Sequence, residues 1–497
     1  MEQERPPPAT KRARPSPPRA QDAAASAEDR LSALDDAILH AILVRLPLRD
    51  AAATTALSRR WPRVFATLPR LLLHPATFNR RGFPDEGCED FCEDPARWID
   101  ALDSVLDSRA APVAALEVHA RFMFQFREWF RDVFRELCGS GGLLELSIDN
   151  TKHSESERYA LSTPIYSCTT LTSLDLYNWR LRVPGKLTGL RAERSLRLRN
   201  VVATDAEVRR LISRCSAMEH LEIRDIRMAR NIVIRSPCLE KLDICSYRPL
   251  CISVKRAPRL DTVELSLFYY HGWIIRDTMY SDEDYSLSQI KKMTEREKQT
   301  DEIGNLVTFL GGLSCTKKLT LNTCTEYSKV LSKAKVSMPK ILPKKSCLLG
   351  LEMLTLSLDY NHEALATLIS CLLNSCPKLK NLKIIGAAHH DHWKSPVPLG
   401  AEFWEEQMNG DCVLNHLSSI TIYIDSLFES YPCLGLCQFL VMNARILKRM
   451  SIHYYRWQLK MEQVAMVEAV RNEVQLWPRA NPNVLLELSP VDRHPSY

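Results

Sequence analysis

The feature that most constrains this chain is a short apolar run, Leu-x-x-Leu-x-Leu or a close variant, that recurs along most of its length. It first appears as Leu-Glu-Leu-Ser-Ile at 144–148 and Leu-Thr-Ser-Leu-Asp-Leu at 171–176. Related runs are centred on Leu196, Leu221, Leu242, Val263, Leu319, Leu354, Leu382, Ile420 and Met450. Taking Leu146 and Leu174 as the first two centres, successive intervals are 28, 22, 25, 21, 21, 56, 35, 28, 38 and 30 residues. Alternation of apolar and polar residues is the pattern of a strand with one buried face. A single strand of this length cannot bury that face alone, so the units have to stack and share one continuous core.

Several of the intervals fall in or near the 20 to 29 residues of leucine-rich repeats. Segments between the strands, such as Ala206–Ser216 and Glu363–Ser375, carry apolar residues at helical spacing and are expected to form an outer layer. The predicted class is therefore α/β, with a curved parallel sheet and outer helices. An ordinary α/β protein with parallel strands is the competing reading, and eleven similarly composed units weigh against it. The interval of 56 leaves room for a further unit or an insertion. Residues 277–302 within it are strongly polar and charged and predict an exposed loop or helix.

Ahead of the array the pattern is different. Residues 1–28 are rich in Pro, Ala, Arg and Ser without apolar periodicity, and are expected to be disordered because they cannot bury enough surface to offset ordering. Lys11-Arg12-Ala13-Arg14-Pro15 reads either as a nuclear-import signal or as a solubilising tail. Order is expected from Leu31, because Leu31, Leu34, Ile38, Ile42 and Leu46 form one apolar stripe at helical spacing. Ser32 with Asp35 resembles a capping box, and Pro47 should end that helix. A second, alanine-rich helix is expected from Asp50 to Leu57, and Pro62 fits the first turn of a third that carries Val64, Phe65 and Leu68. Three helices in about 45 residues bury little apolar area, so their side chains call for a partner or an adjoining domain.

Composition excludes several classes. The net charge is +6, from 66 basic and 60 acidic residues, which gives no case for nucleic-acid binding on charge alone. No stretch reaches the roughly 18 to 20 apolar residues that cross a bilayer. The N-terminus lacks the apolar core of a signal peptide. The 16 cysteines are read as reduced, largely buried thiols of a protein of the nucleus, the cytoplasm or both. There is no phosphate-binding Gly-x-x-x-x-Gly-Lys, no Gly-x-Ser-x-Gly and no Cys-x-x-Cys, so neither an enzyme nor a self-contained zinc-dependent ligase is indicated. His389-His390-Asp391-His392 is the one metal-like cluster and reads as a polar turn. No metal site and no cofactor is expected.

The residues from Asp29 to about Leu73 resemble a plant F-box. The match rests on Asp29-Arg30-Leu31-Ser32-Ala33-Leu34-Asp35-Asp36-Ala37-Ile38, on Leu46-Pro47-Leu48-Arg49-Asp50, and on Ser58-Arg59-Arg60-Trp61. Ala33 stands where the family usually has proline, and Pro62 after the tryptophan is less typical. The C-terminal region resembles the end of plant F-box, leucine-rich repeat proteins of the FBD type. Trp404, Cys412-Val413-Leu414-Asn415-His416-Leu417, Cys437-Gln438-Phe439-Leu440 and Ala444 to Met450 carry that likeness. The resemblance implies a basic, Pro-rich tail at 1–28, an F-box at 29–75, and a linker or cap of the array at 76–142. Leucine-rich repeats follow at 143–400, and FBD-like repeats with a cap at 401–497.

It further implies a substrate-recognition adaptor of a ubiquitin ligase. The F-box would dock on a Skp-type adaptor protein, and through it on a cullin–RING ligase, while the repeats hold a target protein of unknown identity. No membrane and no nucleic acid is expected among the partners. A scaffold that docks without directing degradation is the alternative, and an unrecognised hydrolase or transferase a more remote one. Carried over as adaptor-binding are Leu31, Leu34, Ile38, Ile42, Leu43, Leu46 and Pro47, with about half expected to face the partner. In each strand the residue between the last two apolar positions should point away from the core, onto a concave face. That places Asp175, Arg197, Glu222, Asp243 and Glu264 there, with Tyr177, Arg199 and Arg224 two positions on, as candidate target-binding residues. Acids beside arginines on neighbouring strands also allow a simpler reading, a solvated face whose charges pair with one another.

Overall fold

The computed structural model describes residues 31, 34–73, 95–119, 127–150, 160–268, 301–332, 334, 336–343, 348–360, 362–386, 399–408, 414–424, 432–456 and 461–492. The tail at 1–28, Ser32, the cysteines at 88 and 92, most of 277–302, the His389–His392 cluster and Cys412 lie outside the described residues. The chain divides into two units, residues 1–72 with 76–112, and residues 73–75 with 113–497.

The first unit holds three short helices, Asp36–Leu43, Leu48–Ala53 and Trp61–Ala66, with a 3-10 turn at Thr54–Ala56. Strand β1 (Arg70–Leu73) and helix Pro95–Asp107 follow. The first helix is shorter than its apolar stripe suggested. It begins at Asp36 behind the N-cap Asp35, whose side chain makes no capping hydrogen bond, and it stops at Leu43. Pro47 does not end that helix. It caps the start of the next one, where its fixed φ and missing N–H are no handicap. Pro62 lies in the first turn of the third helix, as its sequence position suggested. Leu39, Leu43, Leu48, Ala51, Trp61, Val64, Phe65 and Leu68 form the core of these helices. The first and third helices are also tied by polar contacts. His40 Nε2 lies 3.1 Å from both the Val64 carbonyl and Thr67 Oγ1, and the Arg60 guanidinium holds Asp36 at 2.5 Å.

The second unit is built on one large parallel sheet. Its strands include β2 (Ala115–His119), β3 (Glu145–Asp149), β4 (Ser173–Tyr177), β5 (Ser195–Arg199), β7 (His220–Arg224), β10 (Lys241–Ser246) and β12 (Thr262–Leu267). They continue as β13 (Lys318–Thr323), β14 (Met353–Leu358), β15 (Asn381–Gly386), β16 (Ser419–Ile424), β17 (Arg449–Tyr455) and β18 (Leu485–Val491), in that spatial order. All eleven runs read from the sequence are strands of this sheet. Their central residues stand in register from Leu146 through Leu174, Leu196, Leu221, Leu242 and Val263 to Leu319, Leu354, Leu382, Ile420 and Met450. A second buried column runs two residues on, from Ile148 to Ile452. These two ladders are the continuous core that the repeat requires.

Two further strands, β2 and β18, extend the series beyond the motif. β2 lacks the leading leucine of the motif, having Val113 three residues before Leu116, and β18 has Asn483 in that place. The outer layer is helical where the spacing predicted it, at Asp205–Arg214 and Glu363–Asn374. The first of these begins with a complete capping box between Thr204 and Glu207. Between β7 and β12 the outer layer is instead strand β9 (Asn231–Arg235) paired with β11 (Cys251–Lys255), burying Ile232, Ile234, Ile252 and Val254. A small pair, β6 (Val202–Ala203) with β8 (Arg227–Met228), lies beside it in sequence.

The turn out of each early strand is set by a polar residue. Asn178, Asn200 and Asp225 all adopt positive φ, of 64°, 53° and 51°. Asn and Asp tolerate that region because a short side chain can bond the nearby backbone. Asn150 and Asn178 exchange amide-to-carbonyl hydrogen bonds of 3.2 and 2.6 Å, and Asn200 donates to Asn178 Oδ1 at 3.2 Å. This ladder satisfies buried backbone where the chain leaves the sheet.

Candidate functional site

In the first unit, the first helix presents two edges four residues apart in composition. Leu39 and Leu43 turn into the core, Leu43 at 1% exposure. Ile38 and Ile42, one residue earlier in each case, are 48% and 39% exposed. Ala37 and Ala41 are exposed beside them, Leu31 is 55% exposed, and Leu34, Leu46 and Pro47 are half-buried. Leu43, which the resemblance had grouped with the adaptor-binding residues, is therefore not part of the outward ridge. It supports the ridge from beneath. Leu57, at 60% exposure, is a large apolar side chain on the surface that the spacing argument passed over. Its signal was available, since it follows the alanine-rich helix and precedes Ser58-Arg59-Arg60-Trp61.

In the second unit, the outward row of the sheet is a chain of ion pairs. Asp175, almost enclosed, accepts from Arg199 Nε at 3.2 Å and from its Nη2 at 2.9 Å through both carboxylate oxygens. Arg197 lies between Asp175 (3.7 Å) and Glu222 (3.6 Å). Arg224 binds Glu222 at 2.7 Å and Asp243 at 2.9 Å. The Arg199 guanidinium also lies 5.7 Å from the centroid of the Tyr177 ring. Among the described residues Glu264 pairs with no arginine, and it accepts from the Asn322 amide at 3.2 Å. All eight candidate residues thus lie on contiguous strands β4 to β12, in the outward rows that alternation placed them in. Burial alone disfavours the Arg224 charge, yet Asp243 and Glu222 outweigh it and hold its pKa above the usual arginine range. Surface pairs of this kind contribute little each, but a run of five linked ion pairs fixes side-chain positions that would otherwise wander.

Among the described residues no group of three His, Cys, Asp or Glu side chains is arranged to hold a metal, and no helix is long and apolar enough to cross a membrane. The described cysteines are free thiols, buried at Cys168, Cys215, Cys245, Cys371, Cys376 and Cys437.

Comparison with known proteins fits both the array and its front end. The family model of the leucine-rich repeats of FBD-associated F-box protein At5g56370 matches residues 127–275. Over 473 residues, 93% of this chain and 97% of the relative, it is 25% identical to the F-box/FBD/LRR-repeat protein At2g04230 of Arabidopsis thaliana. The chain is related to the plant F-box/FBD/LRR-repeat proteins. A second relative of that description, At5g44980, is 25% identical over 395 residues, covering 71% of this chain and 79% of that one. The F-box/LRR-repeat protein At3g26922 is 28% identical over 225 residues, 44% of this chain and 67% of its own length; both are from Arabidopsis thaliana. The ion-pair rows, from Asp175 to Glu264, fall within the span that the leucine-rich repeat model matches.

Proposed function

We propose that this chain is the substrate-recognition adaptor of a Skp–cullin–F-box ubiquitin ligase, acting in the nucleus or cytoplasm and carrying out no chemistry itself. The F-box docks on a Skp-type adaptor through Leu31, Ile38, Ile42 and Leu57, with Leu34, Leu46 and Pro47 at the margin of the contact. The observation that carries this reading is the exposed ridge itself. Four large apolar side chains, each at least 39% exposed, lie within 27 residues on a unit whose core is already filled by Leu39, Leu43, Trp61 and Phe65. A helical apolar face with anchors at i and i+4 is the form in which a helix enters a partner's groove. The repeat sheet holds the target, and Asp175, Tyr177, Arg197, Arg199, Glu222, Arg224, Asp243 and Glu264 form the first surface to test. A scaffold that docks the same way without directing degradation is the second reading.

The test is capture of a purified plant Skp-type adaptor by the full chain, wild type against Leu34→Asp with Ile42→Asp. Loss of capture with an unchanged melting profile supports the docking role. Retained capture refutes it. Stabilisation of a bound protein by a proteasome inhibitor separates ligase receptor from scaffold.

A further inference from the structure

The outward rows do not stop at Glu264, and their chemistry changes from β13 onward. One row continues as Thr320, Thr355, Lys383, Thr421, Ser451 and Glu487, the other as Asn322, Ser357, Ile385, Tyr423, His453 and Ser489. Charge becomes sparse and hydroxyl groups replace it. Tyr423 and His453 stand opposite each other in register, with ring centroids 4.8 Å apart and planes inclined by 34°. Lys383 Nζ lies 5.2 Å from the Tyr423 ring centroid. His453 Nδ1 is 2.8 Å from Ser489 Oγ. Glu487 is the one carboxylate of these two rows beyond Glu264, and Arg449 (2.6 Å) and Ser451 (3.3 Å) already hold it.

The two ends of the sheet therefore differ in what they leave for a partner. At β4 to β10 each arginine is bound to a carboxylate of this chain, and a target would have to displace an internal pair before gaining one. At β15 to β18, among the described residues, Lys383 makes no ion pair. Its ammonium lies over the face of a tyrosine, which steadies it without neutralising it. Tyr423 and His453 are half-buried, so their rings are partly held by packing and partly accessible. Pre-positioned aromatic rings with an adjacent cation are the kind of surface that carries most of an interface's binding energy, because little side-chain entropy is left to lose. Where His453 Nδ1 accepts from the Ser489 hydroxyl, its Nε2 carries the proton and offers a second, uncharged donor.

We infer that the target is seized on β15 to β18 by an acidic peptide segment whose carboxylate meets Lys383 and His453 Nε2 while a neighbouring apolar or aromatic side chain lies against Tyr423. This rests on the reading of the chain as a target receptor and locates the capture point away from the arginine rows. The partner's charge follows from complementarity, since Lys383 is the cation of these rows that makes no ion pair among the described residues. Hydroxyls of Thr355 and Thr421 flank Lys383 in register and suit the backbone of an extended segment.

Selection of a phage-displayed library of random 12-residue peptides on the full-length chain tests the inference. The expected outcome is enrichment of sequences with Asp or Glu beside an aromatic or large apolar residue. A synthetic peptide of that consensus, followed by fluorescence anisotropy, should lose at least tenfold in affinity with Lys383→Glu and with Tyr423→Ala. It should lose little with Lys383→Arg or with Arg235→Glu on the outer strand β9. Each variant is first shown to melt like the wild type and to capture the Skp-type adaptor. Failure to enrich any sequence, a basic or neutral consensus, binding that survives Lys383→Glu, or binding abolished by Arg199→Glu alone would each overturn the assignment. Loss of adaptor capture in the wild type alongside intact acidic-peptide binding would instead count against the ligase reading and leave this site standing.

Discussion

Replacing Glu193 with leucine should stabilise this protein, and should do so by an amount that depends on pH. In each repeat the residue three before the central strand position is part of the core: Leu171, Met218, Leu239 and Leu260 occupy it in neighbouring units. Glu193 holds that place in the unit of β5 and is 0% exposed, and neither carboxyl oxygen makes a well-formed hydrogen bond. Burial pushes its pKa up to about 8, against small opposing contributions from the Leu174 and Ser195 amides and a further upward push from the Cys168 thiol. An unfolded glutamate releases its proton near the ordinary value of about 4.5. Between those limits the folded chain binds one proton more than the unfolded chain, so stability is greatest below pH 4.5 and falls as pH rises to about 8.

At pH 7 the 2.5 units above 4.5, at about 1.4 kcal/mol each, place the cost of keeping the group protonated at roughly 3 kcal/mol. For a unit of about 390 residues melting together, an unfolding entropy of roughly 2.1 cal/mol/K per residue converts this to a Tm increase of about 4 °C. Thermal and urea melts of the wild type and Glu193→Leu, taken between pH 5 and 9, measure the difference directly. The gap should widen from pH 5 to pH 8 and then level off. Subtracting the two curves removes every other titrating group. Parallel curves over that range would refute the reasoning, because they would mean that the carboxylate is ionised and solvated or paired in the folded state.

Ile38→Asp with Ile42→Asp should abolish adaptor capture without lowering Tm, since both side chains are exposed. Leu43→Asp should unfold the helical unit, by roughly 3 kcal/mol or more for a buried, unpaired carboxylate, and circular dichroism separates the two outcomes. Arg199→Ala removes a partner that is itself more than a third exposed, so the loss should be about 1 kcal/mol or less in urea melts. Asn178→Ala should cost more, about 2 kcal/mol by the same measurement, because the alanine must hold a φ of 64° and two side-chain hydrogen bonds are lost, from Asn178 Nδ2 to the Asn150 carbonyl and from Asn200 Nδ2 to Asn178 Oδ1.

Much of the fold was legible because one short motif dictates strand, register and buried face together. Leu174, Leu196 and Leu221 can line one core only if their strands are parallel and unshifted, which fixes the outward rows as well. The pairing of Asp175, Arg197, Arg199, Glu222 and Arg224 follows from that register. β2 and β18 lie outside the eleven runs, although Leu116 with Val118 and Leu486 with Leu488 keep the buried alternation of a strand. The stripe through Ile38 and Ile42 was legible as one edge of the first helix, whereas the burial of Leu39 and Leu43, which share the same four-residue spacing, is decided by tertiary packing that spacing does not supply. Glu193 was hidden by the tolerance of the motif itself, which still reads as a strand when one of its three apolar positions is polar. The Tyr423–His453 stack needs strands 30 residues apart in sequence to lie in register, with rotamers that no spacing rule supplies.

The account depends most on the exposed ridge of the F-box being a docking surface. Hydrogen–deuterium exchange on the full chain, with and without a purified plant Skp-type adaptor at saturating concentration, reports on that surface residue by residue. The account predicts slowed exchange in helices Asp36–Leu43 and Leu48–Ala53 and the turn at Thr54–Ala56, with the repeat strands unchanged. Unaltered exchange across residues 36–57, or protection confined to the repeats, would contradict it.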